Sequence, residues 1–265
     1  MRFEVDIEKR LTDGTRSFTL VSRFSVMEET IALFGPSGSG KSLTLRAVAG
    51  LMRPDKGRIA VDGVVLFDSE EGIDLPARER RVGFMFQDYA LFPHLTVREN
   101  VAFGLKRPLR PLSAEAKRRV EELLDIFGLA ETATAYPREI SGGQRQRAGL
   151  ARTLACQPRI LLLDEPFSAL DQPLRVFMRK ELGQALERFR IPAALVTHDP
   201  EDVEALAGAV AAYDAGRVTT VCSASEADLR GETLGQIAMR GVAAAYACES
   251  VWKGCGQDGA RTQAA

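Results

Sequence analysis

The sequence predicts an α/β fold: a parallel sheet around a phosphate-binding loop, an N-terminal antiparallel β subdomain, and a helical insertion carrying a second glycine loop. Three observations point there. Gly35-Pro36-Ser37-Gly38-Ser39-Gly40-Lys41-Ser42 fits G-x-x-x-x-G-K-[ST] and lies between a short apolar run and a helical pattern. Residues 159–163 (RILLL) form an unbroken apolar run, as in a parallel strand covered on both faces, and helix and strand patterns alternate after it. Between these two landmarks the chain turns proline-punctuated and helical, and it closes that stretch with Ser141-Gly142-Gly143-Gln144.

The elements follow in order. Residues 16–26 alternate loosely with period two, with Phe18, Leu20, Phe24 and Val26 among the apolar positions of a half-buried strand. Residues 30–34 (TIALF) read as a buried strand running into Gly35. From Lys41 the pattern KSLTLRAVAGL is helical, with Gly50 as its stop. Residues 58–67 read as a hairpin about Asp62-Gly63, a strong turn signal. A strand over 81–86 ends at Gln87, and loops marked by Pro93, Pro108 and Pro111 follow. Ser113 caps a helix with Val120, Leu123, Leu124 and Phe127 at helical spacing and Gly128 as its stop. The helix after Ser141 carries Arg145, Arg147 and Arg152, read as a solvated or salt-bridged basic face, and Cys156 in its apolar run is read as a buried thiol. A helix over about 173–189 and a strand over 193–197 complete the alternation. Beyond about Ser223 the periodicity weakens, and GCGQDGARTQAA reads as disordered. The expected organisation is therefore a domain over 1–222, with a helical subdomain at about 88–157, and a short extension over 223–265.

Composition narrows the function. At 265 residues, 45% hydrophobic and 27% charged, the chain can bury a substantial core, and its net charge of −1 shows no basic excess for nucleic acid. Four cysteines (Cys156, Cys222, Cys248, Cys255) have no paired metal spacing and are too sparse for a disulfide framework, which fits a reducing compartment. The N-terminus lacks the apolar core of a signal peptide, and no run approaches the length of a membrane span. Work at a membrane would need an integral partner.

The glycine loop identifies a P-loop NTPase core. Gly35, Gly38 and Gly40 let the backbone turn tightly and aim N–H groups at phosphate oxygens, while the helix beginning near Lys41 adds partial positive charge. Ser141-Gly142-Gly143-Gln144 offers a hydroxyl, two unobstructed amides and a following helix, which is a second anion site. One site per phosphate group suffices within one chain, so a second makes sense when two chains pack head to tail.

The two loops together closely resemble the ATP-binding cassette (ABC) class of ATPases. The resemblance implies ATP as the nucleotide, with Lys41 on its β- and γ-phosphates and Ser42 on Mg²⁺. Asp164-Glu165, directly after the apolar strand, match the Walker B position: Asp164 would orient Mg²⁺ through its water shell, and Glu165 would be the general base. Ser168-Ala169-Leu170-Asp171 resembles the loop that crosses the dimer interface, though by itself it is a helix-capping turn. His198 matches the switch histidine at the γ-phosphate, and Gln87 the glutamine reaching the Mg²⁺ or the attacking water. In such a family Ser141, Gly142, Gly143 and Gln144 face the γ-phosphate held by a second subunit, so the implied unit is a homodimer or a paired cassette.

The resemblance further implies an integral membrane permease docking near Gln87 to Val97, where Phe92-Pro93-His94-Leu95 is apolar enough for a groove or for packing under the insertion. A solute-binding protein would be an indirect partner, and the chain would sit peripherally on the cytoplasmic face of the membrane. Residues 57–97 (GRIAVDGVVLFDSEEGIDLPARERRVGFMFQDYALFPHLTV) resemble molybdate-type importers most, and sulfate, polyamine, sugar and ferric-iron importers share much of that stretch. A soluble ABC ATPase of DNA repair or translation is the rival from another class. Such chains usually carry tandem cassettes, coiled-coil insertions or zinc modules, which this sequence does not show. P-loop kinases and GTPases have no use for this ordered set.

Three departures stand out. The family's adenine-stacking aromatic would fall near Leu11 and Thr12, where there is none; Phe18 is the nearest and reads as core. Ile140 replaces the commoner leucine, a volume-conserving change. The regulatory β-barrel of many importers is not expected in residues 223–265.

Overall fold

The computed structural model describes residues 2–14, 16–106, 111–168 and 170–243. Strands β1 (Phe3–Asp13) and β2 (Arg16–Val26) pair antiparallel along their whole length. β3 (Thr30–Phe34) leads through the glycine loop into α1 (Lys41–Ala49), which ends at Gly50 in the left-handed region. β4 (Lys56–Val61) and β5 (Val64–Asp68) form the expected hairpin, and both turn residues, Asp62 (φ 49°) and Gly63 (φ 75°), have the positive φ of a type I′ turn. β6 (Ile73–Asp74), α2 (Ala77–Arg80) and β7 (Val82–Met85) then lead into the insertion. Its helices are α3 (Val97–Ala102), α4 (Ala114–Ile126) and α5 (Gly142–Ala155). The chain returns through β8 (Ile160–Asp164), α6 (Gln172–Phe189), β9 (Ala193–Thr197), α7 (Pro200–Leu206), β10 (Ala209–Asp214) and β11 (Arg217–Ser223). It continues into α8 (Ala224–Arg230) and a last helix over residues 234–243.

Among the described residues all eleven strands join one sheet, ordered β6-β5-β4-β1-β2-β11-β10-β3-β9-β8-β7. β10, β3, β9, β8 and β7 run parallel, and β6, β5, β4, β1 and β2 form the antiparallel part. β11 joins the halves, antiparallel to β10 and parallel to β2. Every residue of β8 and β9 is buried, as strands covered on both faces require. Asp164 ends β8, and Lys41, Gln87, Glu165 and His198 follow the carboxyl ends of adjacent parallel strands, the edge where open α/β sheets hold their ligands.

Apolar packing divides into three clusters. One joins the insertion helices to α6 and β8, a second fills the space between α1 and the antiparallel strands, and a third lies under the C-terminal helices. The third cluster adds to the reading of the end of the chain. Ala227, Leu234, Ile237 and Ala238 are buried against Phe34, Val203, Val210 and Cys222, so residues 224–243 pack onto the parallel sheet. The sequence carried a signal for this: Ser223-Ala224-Ser225-Glu226 is a capping box, with Glu226 N donating to Ser223 Oγ and Ser223 N to Glu226. Cys156 is also corrected. It sits at the C-cap of α5 and is exposed, whereas Cys222 is the buried thiol. Ala169, Pro108, Cys248, Cys255 and the GCGQDGARTQAA segment lie outside the described residues.

Candidate functional site

The glycine loop wraps the amino end of α1. Gly35 (φ 151°) passes so close to β10 that a Cβ there would lie 2.3 Å from the Tyr213 carbonyl oxygen, and Gly40 (φ 103°) precedes the helix in a left-handed conformation. Lys41 folds back over the loop, donating from Nζ to the Gly35 and Pro36 carbonyls (2.7 Å each) and weakly to Ser39 Oγ (3.4 Å). Burial pulls its pKa down, while Glu165 and Asp164 pull it back up. An ammonium so placed, beside two carboxylates, can exchange carbonyl partners for phosphate oxygens.

Ser42 Oγ donates to Asp164 Oδ1 at 2.6 Å, across 122 residues of sequence. Burial raises the Asp164 pKa, opposed by that hydrogen bond and by Arg46. A hydroxyl and a carboxylate held together are hard oxygen donors and fit Mg²⁺, which binds few protein groups and keeps the rest for water and phosphate. Among the described residues no cluster of three or more His, Cys, Asp or Glu could hold a metal ion, so any ion would rely on that oxygen pair and the substrate.

Beyond Asp164 the chain turns sharply: Glu165 has φ 47° and its N–H donates to the Val196 carbonyl of β9. This tie brings Glu165 beside His198, whose Nδ1 lies 3.6 Å from Glu165 Oε2. Gln87 joins from the other side, Nε2 donating to Ser168 Oγ (3.1 Å), which in turn donates to the Glu165 carbonyl (3.1 Å). Lys41, Ser42, Gln87, Asp164, Glu165 and His198 thus gather at one sheet edge. Asp171 instead caps α6, its Oδ1 accepting from Leu174 N (3.1 Å).

Ser141 caps α5, accepting from Gln144 N (3.2 Å), and Gln144 Oε1 accepts from Ser141 N (2.8 Å). The Gln144 side chain is therefore committed to its own helix. Ser141 keeps its O–H donor, and Gly142 and Gly143 present first-turn amides that the helix cannot satisfy. No hydrogen bond among the described residues joins this loop to Lys41, Ser42 or Asp164. Gly143 lies against α6, where a Cβ would meet Leu174 at 3.2 Å.

Three contributions were not legible in the pattern of residues. Arg152 does not lie on a solvated face: it is partly buried and donates to the Ala90 (2.7 Å) and Tyr89 (2.8 Å) carbonyls, clamping the loop that follows Gln87. Gln146 is buried and donates to the Pro166 carbonyl (3.1 Å), tying α5 to the Glu165 turn. Phe18 is half-buried, packed on the second cluster, yet its ring tip reaches the glycine loop, 3.5 Å from where a Gly40 Cβ would stand.

The sequence profile of the ABC transporter family matches residues 23–168, more than half of the chain. The chain belongs to the ABC transporter family. Its relatives include the sulfate/thiosulfate import ATP-binding protein CysA of Rhodopseudomonas palustris, 48% identical over 198 residues, covering 74% of this chain and 55% of that protein. The molybdenum import ATP-binding protein ModC of Paramagnetospirillum magneticum is 42% identical over 214 residues, covering 81% and 58%. The chain thus spans little more than half the length of these curated relatives. Among solved structures, the dimeric ATP-binding cassette MJ0796 in a post-hydrolysis state with ADP and Pi superposes with a TM-score of 0.70 at 29% identity, over 84% of this chain and 98% of that one. The fold is therefore that of an ABC ATP-binding cassette. Among the described residues of this ABC chain no helix is long and apolar enough to cross a membrane.

Proposed function

We propose that this chain is the ATP-hydrolysing subunit of an ABC importer, and that its cargo is a tetrahedral oxyanion. The observation that supports hydrolysis most directly is the convergence of the Lys41 ammonium, the Ser42–Asp164 pair and the Glu165–His198 pair on one sheet edge. In this reading ATP lies with its phosphates in the glycine loop. Lys41 leaves the Gly35 and Pro36 carbonyls for phosphate oxygens, and Ser42 and Asp164 would hold Mg²⁺. An Mg²⁺ held by that pair would supply positive charge against the negative charge developing on the phosphates. Glu165 accepts a proton from the attacking water, Gln87 orients that water, and His198 donates to the γ-phosphate.

Two chains would complete the site, the Ser141 to Gln144 loop of each covering the phosphates of its partner. The unpaired Gly142 and Gly143 amides support this, as does the dimeric form of the related cassette. An integral permease at the membrane's cytoplasmic face is the implied second partner, with a solute-binding protein acting through it. The oxyanion reading draws on the printed roles of the relatives, sulfate/thiosulfate for CysA and molybdenum for ModC. It keeps the molybdate-type resemblance of the sequence and sets beside it the sulfate alternative that shares much of the same stretch.

Glu165→Gln tests the mechanism. The variant should bind ATP, lose hydrolysis by about 10²- to 10⁴-fold, and accumulate as a dimer in saturating ATP by size-exclusion chromatography. A variant still monomeric with ATP bound would sink the shared site. Stimulation of ATP hydrolysis by sulfate against molybdate, in the complex reconstituted with its permease and binding protein, would separate the cargoes.

A further inference from the structure

We propose that Arg179 is a positioning residue for His198, acting from α6 through Asp202 and Thr197; this rests on the assignment of His198 to the hydrolytic site. The His198 side chain is half exposed, and among the described residues its one charged partner is Glu165, 3.6 Å away. Its placement therefore comes from its backbone, and the backbone on both sides is pinned by a buried network. Thr197 Oγ1 donates to Asp202 Oδ2 (2.6 Å) and accepts from Asp199 N (3.0 Å), so one hydroxyl fixes the peptide that carries His198 into the Asp199 turn. The other Asp202 oxygen, Oδ1, accepts from Arg179 Nε (2.9 Å) and Nη2 (2.7 Å). Arg179 Nη1 donates to Glu201 (3.0 Å), and Arg175, one turn earlier on α6, donates to Asp199 Oδ2 (2.9 Å).

Arg179, Thr197 and Asp202 are each less than a tenth exposed. Burial pushes the Asp202 pKa up, and its hydrogen bonds with Thr197 and Arg179 oppose this. A planar five-donor fork is what lets one cation bond Asp202 twice and still reach Glu201 and Asp199, which a lysine could not do. The helix bearing this fork is capped by Asp171, the last residue of the loop expected at the dimer interface, so that loop leads directly into the element that grips the switch histidine's turn. A shift of α6 on pairing would be passed to His198 through the Arg179–Asp202–Thr197 hydrogen bonds.

The test uses the full chain with Arg179→Lys, and with Thr197→Val as a milder break that leaves the buried charges paired. Two readouts are taken: steady-state ATP hydrolysis, and the imidazole resonances of histidine-labelled protein. The chain has only two histidines, so His94 serves as an internal reference. The expected result is that both variants move or broaden the His198 resonances, leave His94 unchanged, and lower kcat about tenfold with KM for ATP within twofold. Thr197→Ser, which restores the hydroxyl, should recover both. Unmoved His198 resonances in either folded variant would overturn the proposal, as would a raised KM at unchanged kcat. Moved resonances with unchanged kcat, or full activity in His198→Ala, would support the positioning geometry in the first case and in both cases overturn the hydrolytic role of His198 instead.

Discussion

Tyr213 shows how a side chain far from the phosphates can hold the loop that binds them. It is fully buried on β10, and its hydroxyl shares a hydrogen bond with Ser22 Oγ of β2 (2.6 Å) and donates to Thr44 Oγ1 of α1 (3.3 Å). Its carbonyl meanwhile sets how closely Gly35 approaches. Tyr213→Phe would leave the buried Ser22 hydroxyl without its partner, and urea unfolding at pH 8 should show a loss of about 1–3 kcal/mol. Burial pushes the Tyr213 pKa up to about 12, from the ordinary tyrosine value near 10. The folded state thus keeps this proton after the unfolded chain has lost it. The stability it confers is complete below about pH 10 and falls as pH rises from about 10 to 12. Tyr213→Phe should flatten that alkaline decline while lowering the plateau. An unchanged slope between pH 10 and 12 would rule out Tyr213 as its source.

The loop after β7 owes its shape to a neighbouring helix rather than to its own residues. Tyr89 (φ 60°) and Ala90 (φ 41°) are non-glycine residues in the left-handed region, which costs roughly 1–3 kcal/mol each unless surroundings enforce it. The enforcing group is Arg152 on α5, bound to both carbonyls and stacked 5.6 Å over the Phe92 ring. Arg152→Ala should relax this loop: amide exchange across residues 88–91 should quicken about 10- to 100-fold, with protection in β8 and β9 retained. Equal protection in variant and parent would mean that the loop holds itself. The same contrast explains what could be read in the sequence. The Asp62-Gly63 turn, the Ser113 cap and the Gly50 stop are made within a few residues, and all were legible. So was the phosphate loop, because its glycines and Lys41 act on their own backbone. Arg152 bonds carbonyls 62 and 63 residues away and Ser42 a carboxylate 122 away, so charge patterning alone misassigned the first and could not see the second bond. The helices after Ser223 escaped periodicity because two of the four apolar residues they bury in the third cluster are alanines.

In the proposed assembly with a membrane partner, the docking surface would be the one that continues from Gln87. Phe84, Phe86, Phe92, Phe103 and Gly104 line an open groove of about 350 Å³, with Cys156 and the Arg152 clamp at its floor. Phe86 is 38% and Phe103 45% exposed, and the Phe92 and Phe103 rings pack 4.2 Å apart. Exposed aromatics lining a concave site are what a helix of a membrane partner would fill. Phe86 adjoins Gln87, whose hydrogen bond through Ser168 reaches the Glu165 carbonyl, so a partner in the groove lies two hydrogen bonds from the hydrolytic turn. Any motion of that turn on nucleotide binding would have a short mechanical route to a partner docked there. Phe103→Asp tests this without touching Gln87 or the phosphate loop. Its ring is nearly half exposed, so the folded chain should tolerate the charge, with a melting temperature within a few degrees of the parent. A desolvated carboxylate in the filled groove should instead reduce recovery of the integral subunit with tagged chain in detergent by tenfold or more. Full recovery of the integral subunit with Phe103→Asp would move the docking site off this groove.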